Sequence, residues 1–270
     1  MFDLTSILEQ QEDRLIAVAF KDLETESEFY LNADEPLHPA STMKVHVMME
    51  VFRQANEGLF SLEDRLPIRN SFSSIADGSP FSLDEADDSE PILYERLGET
   101  ETIYELTRLM IVRSSNLATN ILIEKVGAQN VDDFVQALGI EGVIIRRGVE
   151  DNVAFRLGMN NSATARGLTQ TMDLIARRKV VSEAASVQMI EILLGQEFNE
   201  SIPALLPQNV DIAHKTGWTG NVYHDTGIVY PEHREPYVLT IMTRGFTEAQ
   251  ENDAHACMAA ISKMIYESLP

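Results

Sequence analysis

A serine and a lysine near the N-terminus are spaced to act together as a nucleophile and its base. Ser41 and Lys44 stand three positions apart after Pro39, which predicts that they share one face of a helix. A serine hydroxyl attacks poorly until a base removes its proton, and a lysine desolvated in a cleft has a lowered pKa and can remove it. Ser-x-x-Lys also recurs by chance in many chains, and Ser41 as a helix-capping residue is the structural alternative.

Two later motifs extend this pattern. Ser114 and Asn116 form Ser-x-Asn at a turn that enters a predicted helix, and residues 215–218 form Lys-Thr-Gly-Trp on a predicted strand. Taken singly, Ser114 and Asn116 are turn formers, Lys215 is a surface cation and Trp218 is a packing residue. The occurrence of all three motifs in one chain argues against these separate interpretations, because short motifs seldom coincide.

The chain resembles the serine β-lactamase and penicillin-binding superfamily, in which Ser-x-x-Lys, Ser-Asp-Asn and Lys-Thr-Gly occur in this order. The resemblance covers about residues 15–268. It implies that Ser41 attacks a carbonyl and forms an acyl-enzyme, with Lys44 as base, directly or through water. It also implies that Ser114 passes a proton to the leaving nitrogen.

The resemblance also assigns the groups that hold the substrate. Asn116 would bind the substrate amide and Lys44, while Lys215 would orient Ser114. Substrate binding would further involve Thr216, Gly217 and Trp218. Of these, Thr216 would bind a carboxylate, and the backbone N–H groups of Ser41 and Trp218 would form the oxyanion hole.

The chain departs from the family pattern at several positions. Ser115 stands where the family has an aspartate that braces the turn. Glu150 matches the position of the glutamate that activates the deacylating water in class A enzymes, but the asparagine expected four residues later is Ala154. Glu150 is therefore expected either to be the deacylating base or to form a plain ion pair with the arginines of its loop.

Other side chains leave further questions open. The strand after Lys-Thr-Gly lacks the arginine that helps to bind the substrate carboxylate, and Arg244 of the next strand is a candidate substitute. His46, His214 and His224 lack the spacing of a metal site, so supporting or packing roles are expected, and we expect neither a metal nor a cofactor. The pair His224-Asp225 is a candidate to tune Lys215.

Hydrophobic periodicity predicts the elements that carry these residues. Strands are predicted at 15–20, 28–31, 210–215, 227–230 and 237–242, helices lie between about 42 and 200, and a last helix spans about 247–268. The early and late strands can pair only if the helices between them are looped out. We therefore predict an α+β fold, an α-β sandwich with about five antiparallel strands flanked by terminal helices. Residues 1–40 and 205–270 form the predicted sheet lobe, and residues 41–204 form the predicted inserted helical lobe, in one catalytic unit.

Composition restricts the partners. Acidic residues outnumber basic ones 43 to 21, giving a net charge of -22 that disfavours nucleic acid and anionic membranes. The single cysteine, Cys257, lies in an apolar stretch and is expected to be packed and inert. We expect a monomer that is cytoplasmic as the chain stands, or periplasmic or secreted if a leader has been removed. The excess acid of residues 1–100, including the run at 84–90, is expected to face solvent away from the site.

These inferences define three hypotheses. The first is a serine-acyl hydrolase that acts on a small molecule, a β-lactam, through an acyl-enzyme on Ser41. The second keeps the acyl-enzyme but changes the substrate, as in a D,D-peptidase-like or esterase-like enzyme. The third is a catalytically silent descendant that binds a ligand in the same cleft. Fold alone does not separate them.

Overall fold

The computed structural model describes residues 2–11 and 13–270, so Met1 and Glu12 of the predicted sheet lobe lie outside it. A five-stranded antiparallel sheet has the order β2-β1-β9-β8-β7, which places the first strands of the chain beside the last. The strands are β1 Leu15–Asp22, β2 Glu28–Leu31, β3 Arg65–Pro67, β4 Phe72–Ser73, β5 Pro80–Phe81, β6 Thr100–Thr102, β7 Asp211–Thr219, β8 Val222–Tyr230 and β9 Tyr237–Arg244.

Helices cover both faces of the sheet, which explains why its central strands are buried almost continuously. The terminal helices pack on one face through a core that includes Val18, Leu239 and Ile261. The other face packs on the helical middle of the chain. The helices are α1 Thr5–Leu8, α2 Lys44–Asn56, α3 Ile92–Glu95, α4 Ile103–Val112, α5 Asn116–Val126, α6 Ala128–Ala137, α7 Asn152–Arg156, α8 Ala165–Ala176, α9 Glu183–Leu194 and α10 Glu251–Ser268.

Short polar caps and glycines set the ends of the helices that lead to the motifs. Thr102 accepts a hydrogen bond from the backbone of Glu105 at the start of α4, and Ser115 accepts one from Ala118 at the start of α5. Gly127 follows α5 with φ of 85°, a conformation that favours glycine. These local signals bring the Ser-x-Asn motif to the junction of α4 and α5.

The predicted fold class is confirmed, and the longer elements lie where periodicity placed them. The short pairs β3–β6 and β4–β5, and the five-residue helix α7, were not predicted, because segments this short carry too few residues for a periodic pattern. The division into a sheet lobe and a lobe of residues 41–204 stays a prediction. Among the described residues, no helix is long and apolar enough to cross a membrane.

Candidate active site

Ser41 lies in a 3₁₀ turn, Ala40–Met43, that leads directly into α2. Ala40 has a φ of 47°, in the left-handed region, and Thr42 Oγ1 ties the turn to the Pro39 carbonyl at 2.6 Å. The turn faces a cleft of about 440 Å³ whose lining includes Ser41, Asn116, Glu150 and Trp218. The expected helix therefore begins three residues after Ser41.

Lys44 begins α2 and is fully buried. Its Nζ donates hydrogen bonds to the Ser114 carbonyl at 2.6 Å, to Asn116 Oδ1 at 2.8 Å and to Ser114 Oγ at 3.4 Å. Burial lowers the pKa of Lys44 to about 7, against an opposing effect of Asp88 and Glu150. Near neutral pH a large fraction of this amine is thus unprotonated and able to accept a proton.

Ser114 joins the two lysines of the site. Its Oγ accepts a hydrogen bond from Lys215 Nζ at 3.1 Å in addition to the contact with Lys44, and its φ of 55° is unusual for a residue with a side chain. Burial and the nearby Lys44 charge lower the pKa of Lys215 well below its ordinary value, while Asp225 opposes this shift. The strained turn therefore holds one hydroxyl between two amines.

Glu150 is connected to Lys44 through the amide of Asn116. Asn116 Nδ2 donates to Glu150 Oε1 at 2.8 Å, while its Oδ1 accepts from Lys44. Burial raises the pKa of Glu150, and the charges of Asp87 and Asp88 raise it further, against the hydrogen bond from Asn116. Among the described residues, no lysine or arginine forms a salt bridge with Glu150.

The loop that carries Glu150 is held by Asn120, a residue that sequence analysis missed. Asn120 Nδ2 donates to the Val149 carbonyl at 3.0 Å, and Val149 N–H donates to Asn120 Oδ1 at 2.8 Å. A Cβ at Gly148 would lie 2.2 Å from the same Oδ1, so a larger residue there would displace the Asn120 amide from this contact. The only signal for Asn120 in the sequence is its position one helical turn after Asn116.

Asp88 corrects the expectation that the acidic run at 84–90 is solvated and remote from the site. Its side chain is only 8% exposed, and its Oδ2 accepts from Leu117 N–H at 2.8 Å and Tyr94 Oη at 3.1 Å. Ser115 Oγ also lies 3.4 Å from this oxygen. Asp88 therefore supplies, from a distant segment, a carboxylate at the turn where Ser115 replaces the expected aspartate.

We expect Asp88→Asn to destabilise the protein by about 1–3 kcal/mol, because a neutral amide replaces an acceptor of several buried hydrogen bonds. Urea unfolding followed by circular dichroism measures this change. Glu95→Gln, an exposed acid nearby, is the control and should leave the unfolding midpoint unchanged. Equal stability of the two variants would contradict a bracing role for Asp88.

The end of β7 forms the opposite wall of the site. A Cβ at Gly217 would lie 2.7 Å from the Ser41 nitrogen, so glycine lets the strand approach the 3₁₀ turn. Thr216 is buried, and its Oγ1 has no hydrogen-bond partner among the described residues. Trp218 is 37% exposed and packs edge-on against Phe198. The structure thus brings all three motifs to one cleft.

The remaining candidates lie around the site rather than in it. His214 contacts the Asp225 carboxylate at 2.9 Å. Of the pair His224-Asp225, it is Asp225 whose charge raises the pKa of Lys215, against the effect of burial. His224 contacts the His38 carbonyl at 2.9 Å. Arg244 ends β9 opposite Val222, is exposed and is not among the described residues that line the cleft.

Two buried lysines around one serine hydroxyl, with a second serine in the 3₁₀ turn before α2, define a serine hydrolase of the penicillin-recognising type. A family model described as the Beta-lactamase enzyme family matches residues 3–269, and the chain belongs to this family. The predicted family and class of enzyme are therefore confirmed.

Individual relatives are distant but match nearly the whole chain. Beta-lactamase CTX-M-97 of Escherichia coli is 26% identical over 264 residues, which cover 96% of this chain and 85% of that protein. A beta-lactamase structure from Sphaerobacter thermophilus has a TM-score of 0.83 at 20% identity, covering 99% of this chain and 97% of that chain. A PBP-A mutant, solved as an acyl-enzyme complex with penicillin G, has a TM-score of 0.81 at 22% identity, covering 97% and 93%. At these identities the two structures establish the fold alone.

Proposed function

We propose that the protein hydrolyses β-lactams through an acyl-enzyme on Ser41 that is released by water activated by Glu150. The observation that carries this proposal is the bridge from Lys44 through Asn116 to Glu150, with hydrogen bonds of 2.8 Å on both sides. It joins the proposed acylating base to the proposed deacylating base across one cleft. Family membership supports the same reaction.

In the acylation step, neutral Lys44 takes the proton of Ser41, directly or through water, and Ser41 Oγ attacks the lactam carbonyl carbon. The N–H groups of Ser41 and Trp218 stabilise the oxyanion. When the ring C–N bond breaks, Ser114 passes its proton to the nitrogen and is reprotonated from a neighbouring amine. The contacts of Ser114 Oγ with Lys44 and Lys215 support this relay.

In the deacylation step, Glu150 takes a proton from water, and the resulting hydroxide attacks the ester carbonyl. The ester C–O bond breaks, and the proton that Glu150 took from water returns to Ser41 Oγ. Only the ionised carboxylate can act as this base. The contact of Asn116 with Glu150 favours that form, whereas burial opposes it.

The substrate, the oligomeric state and the binding partners also stay proposals. We propose a small-molecule β-lactam as substrate, a monomeric enzyme, and no nucleic-acid or membrane partner. The compartment stays a prediction. Sedimentation equilibrium measures the oligomeric state directly.

Intact-mass spectrometry after mixing with penicillin G tests the proposal. We expect an adduct of the mass of the intact penicillin that disappears as hydrolysed product accumulates. An adduct that persists would instead support the D,D-peptidase-like alternative. The absence of both adduct and hydrolysis would contradict both penicillin-reactive hypotheses and leave an esterase-like or silent binding protein.

Acylation should depend on pH through Lys44. Because burial lowers the pKa of Lys44 to about 7, the amine becomes protonated below that pH and can no longer accept the proton of Ser41. The adduct-formation rate should therefore fall about tenfold for each pH unit well below 7. Rapid-quench mass spectrometry of the first turnover of the unmodified protein follows this step, and a flat rate from neutral to acidic pH would contradict Lys44 as the base.

A further inference from the structure

A second cavity of about 240 Å³ lies beside Thr216 and Trp218, the residues that end the Lys-Thr-Gly wall. Two aromatic rings contribute to it, Phe198 and Trp218, with ring centroids 5.3 Å apart and ring planes at 72°. Trp218 also lines the main cleft, so one side chain borders both spaces. The second cavity therefore adjoins the cleft that contains Ser41, with the Trp218 side chain between the two spaces.

The charged groups of this cavity are acidic. Glu200 and Glu251 line it and are both exposed, and none of the described lining residues is a lysine or an arginine. Glu200 has no salt-bridge partner among the described residues, and the one partner of Glu251 is the His255 imidazole at 3.7 Å. The cavity thus adds local negative charge to a chain of net charge -22.

Thr216, the residue expected to bind the substrate carboxylate, also lines this cavity. The residue is 3% exposed, and its Oγ1 is buried without a partner in the described structure. A buried hydroxyl without a hydrogen bond is costly, and a ligand group that reaches it recovers that energy. It stands on the strand between Lys215, which contacts Ser114, and the aromatic side of the cavity.

We propose that this cavity is a subsite for an organic cation carried by the leaving-group side of the substrate, an ammonium or pyridinium group. Aromatic faces and carboxylates together attract such cations through cation–π and charge interactions. A metal ion fits less well, since no three His, Cys, Asp or Glu side chains of the described residues converge as ligands. This assignment deepens the proposed function and rests on it for the identity of the substrate.

A binding experiment tests the subsite without catalysis. Trp218 is the single tryptophan of the chain and lines both spaces, so its fluorescence reports a ligand in either one, and variants of the cavity acids locate the site. In Ser41→Ala we expect tetramethylammonium chloride to produce a saturable change that sodium chloride at equal ionic strength does not. The double variant Glu200→Gln/Glu251→Gln should weaken binding about tenfold, whereas Glu248→Gln, an exposed acid outside the cavity, should not. The absence of a saturable change would overturn the proposal.

A kinetic comparison tests the same subsite during turnover. Cephaloridine and cephalothin share one acyl side chain, but the first carries a pyridinium and the second a neutral acetoxy group on the leaving-group side. We expect the ratio of their kcat/KM values to favour cephaloridine, and to fall about fivefold in Glu251→Gln but not in Glu248→Gln. If both substrates react but the ratio of their kcat/KM values is unchanged in Glu251→Gln, the subsite proposal is overturned and the proposed function stands. If neither reacts, the proposed function fails while the fluorescence result still decides whether a cation binds.

Discussion

Replacing Glu150 with glutamine is expected to make the penicillin acyl-enzyme persist instead of being hydrolysed. Glutamine keeps the size of the side chain and can still contact Asn116, but it cannot take a proton from water. Deacylation should slow by about 10²- to 10⁴-fold while acylation changes little. Intact-mass spectrometry should then record a stable adduct at one equivalent, where the unmodified protein gives only a transient one.

Glu141→Gln is the matched control, because Glu141 is exposed on a neighbouring loop and its side chain has no recorded contact in the cleft. It should clear the adduct at the rate of the unmodified enzyme. If Glu150→Gln also clears it at that rate, Glu150 is not the deacylating base. A loss of acylation as well would indicate that Glu150 also supports the first step.

Ser41→Ala is expected to abolish the adduct and to lower turnover by about 10³- to 10⁶-fold, because the attacking oxygen is lost. Alanine fits the 3₁₀ turn, where Thr42 rather than Ser41 makes the recorded side-chain hydrogen bond. The cleft should therefore still bind penicillin non-covalently. A rise in melting temperature with penicillin in Ser41→Ala measures that binding.

Ser71→Ala, an exposed serine away from the cleft, should behave like the unmodified enzyme in the same assay. Tandem mass spectrometry of the adduct should locate the acyl group on the peptide that contains Ser41. An adduct that survives in Ser41→Ala would contradict Ser41 as the nucleophile and would direct attention to Ser114, the other serine that contacts the buried amines.

Much of the architecture could be predicted from the sequence. Apolar periodicity located the long helices and the five sheet strands, because burial of one face or of both leaves a regular pattern of side chains. The motifs located the serines and lysines that the structure brings into one cleft. Both are local signals, readable from residues close together in the chain.

The hydrogen bonds that hold the site in place, and the acidic groups close to it, could not be predicted in the same way. Asp88 belongs to an acidic segment whose sequence predicts a solvated loop. Its carboxylate is nevertheless buried at the start of α5 and accepts a hydrogen bond from Leu117 N–H. Hydrogen bonds between segments this far apart in the chain leave no periodic trace. The expectation that the excess acid faces solvent away from the site was wrong for Asp88 for this reason.

The sequence by itself determined the family and the fold class, and it predicted the reactive groups, because those depend on residue types and short spacings. Only the tertiary structure decided which groups touch: that Asn116 links Lys44 to Glu150, that Asp88 braces the turn, and that acids and aromatic rings line a second cavity. The physical reason is that burial and proximity set the pKa values, the hydrogen bonds and the local field. Those quantities arise when distant segments pack together.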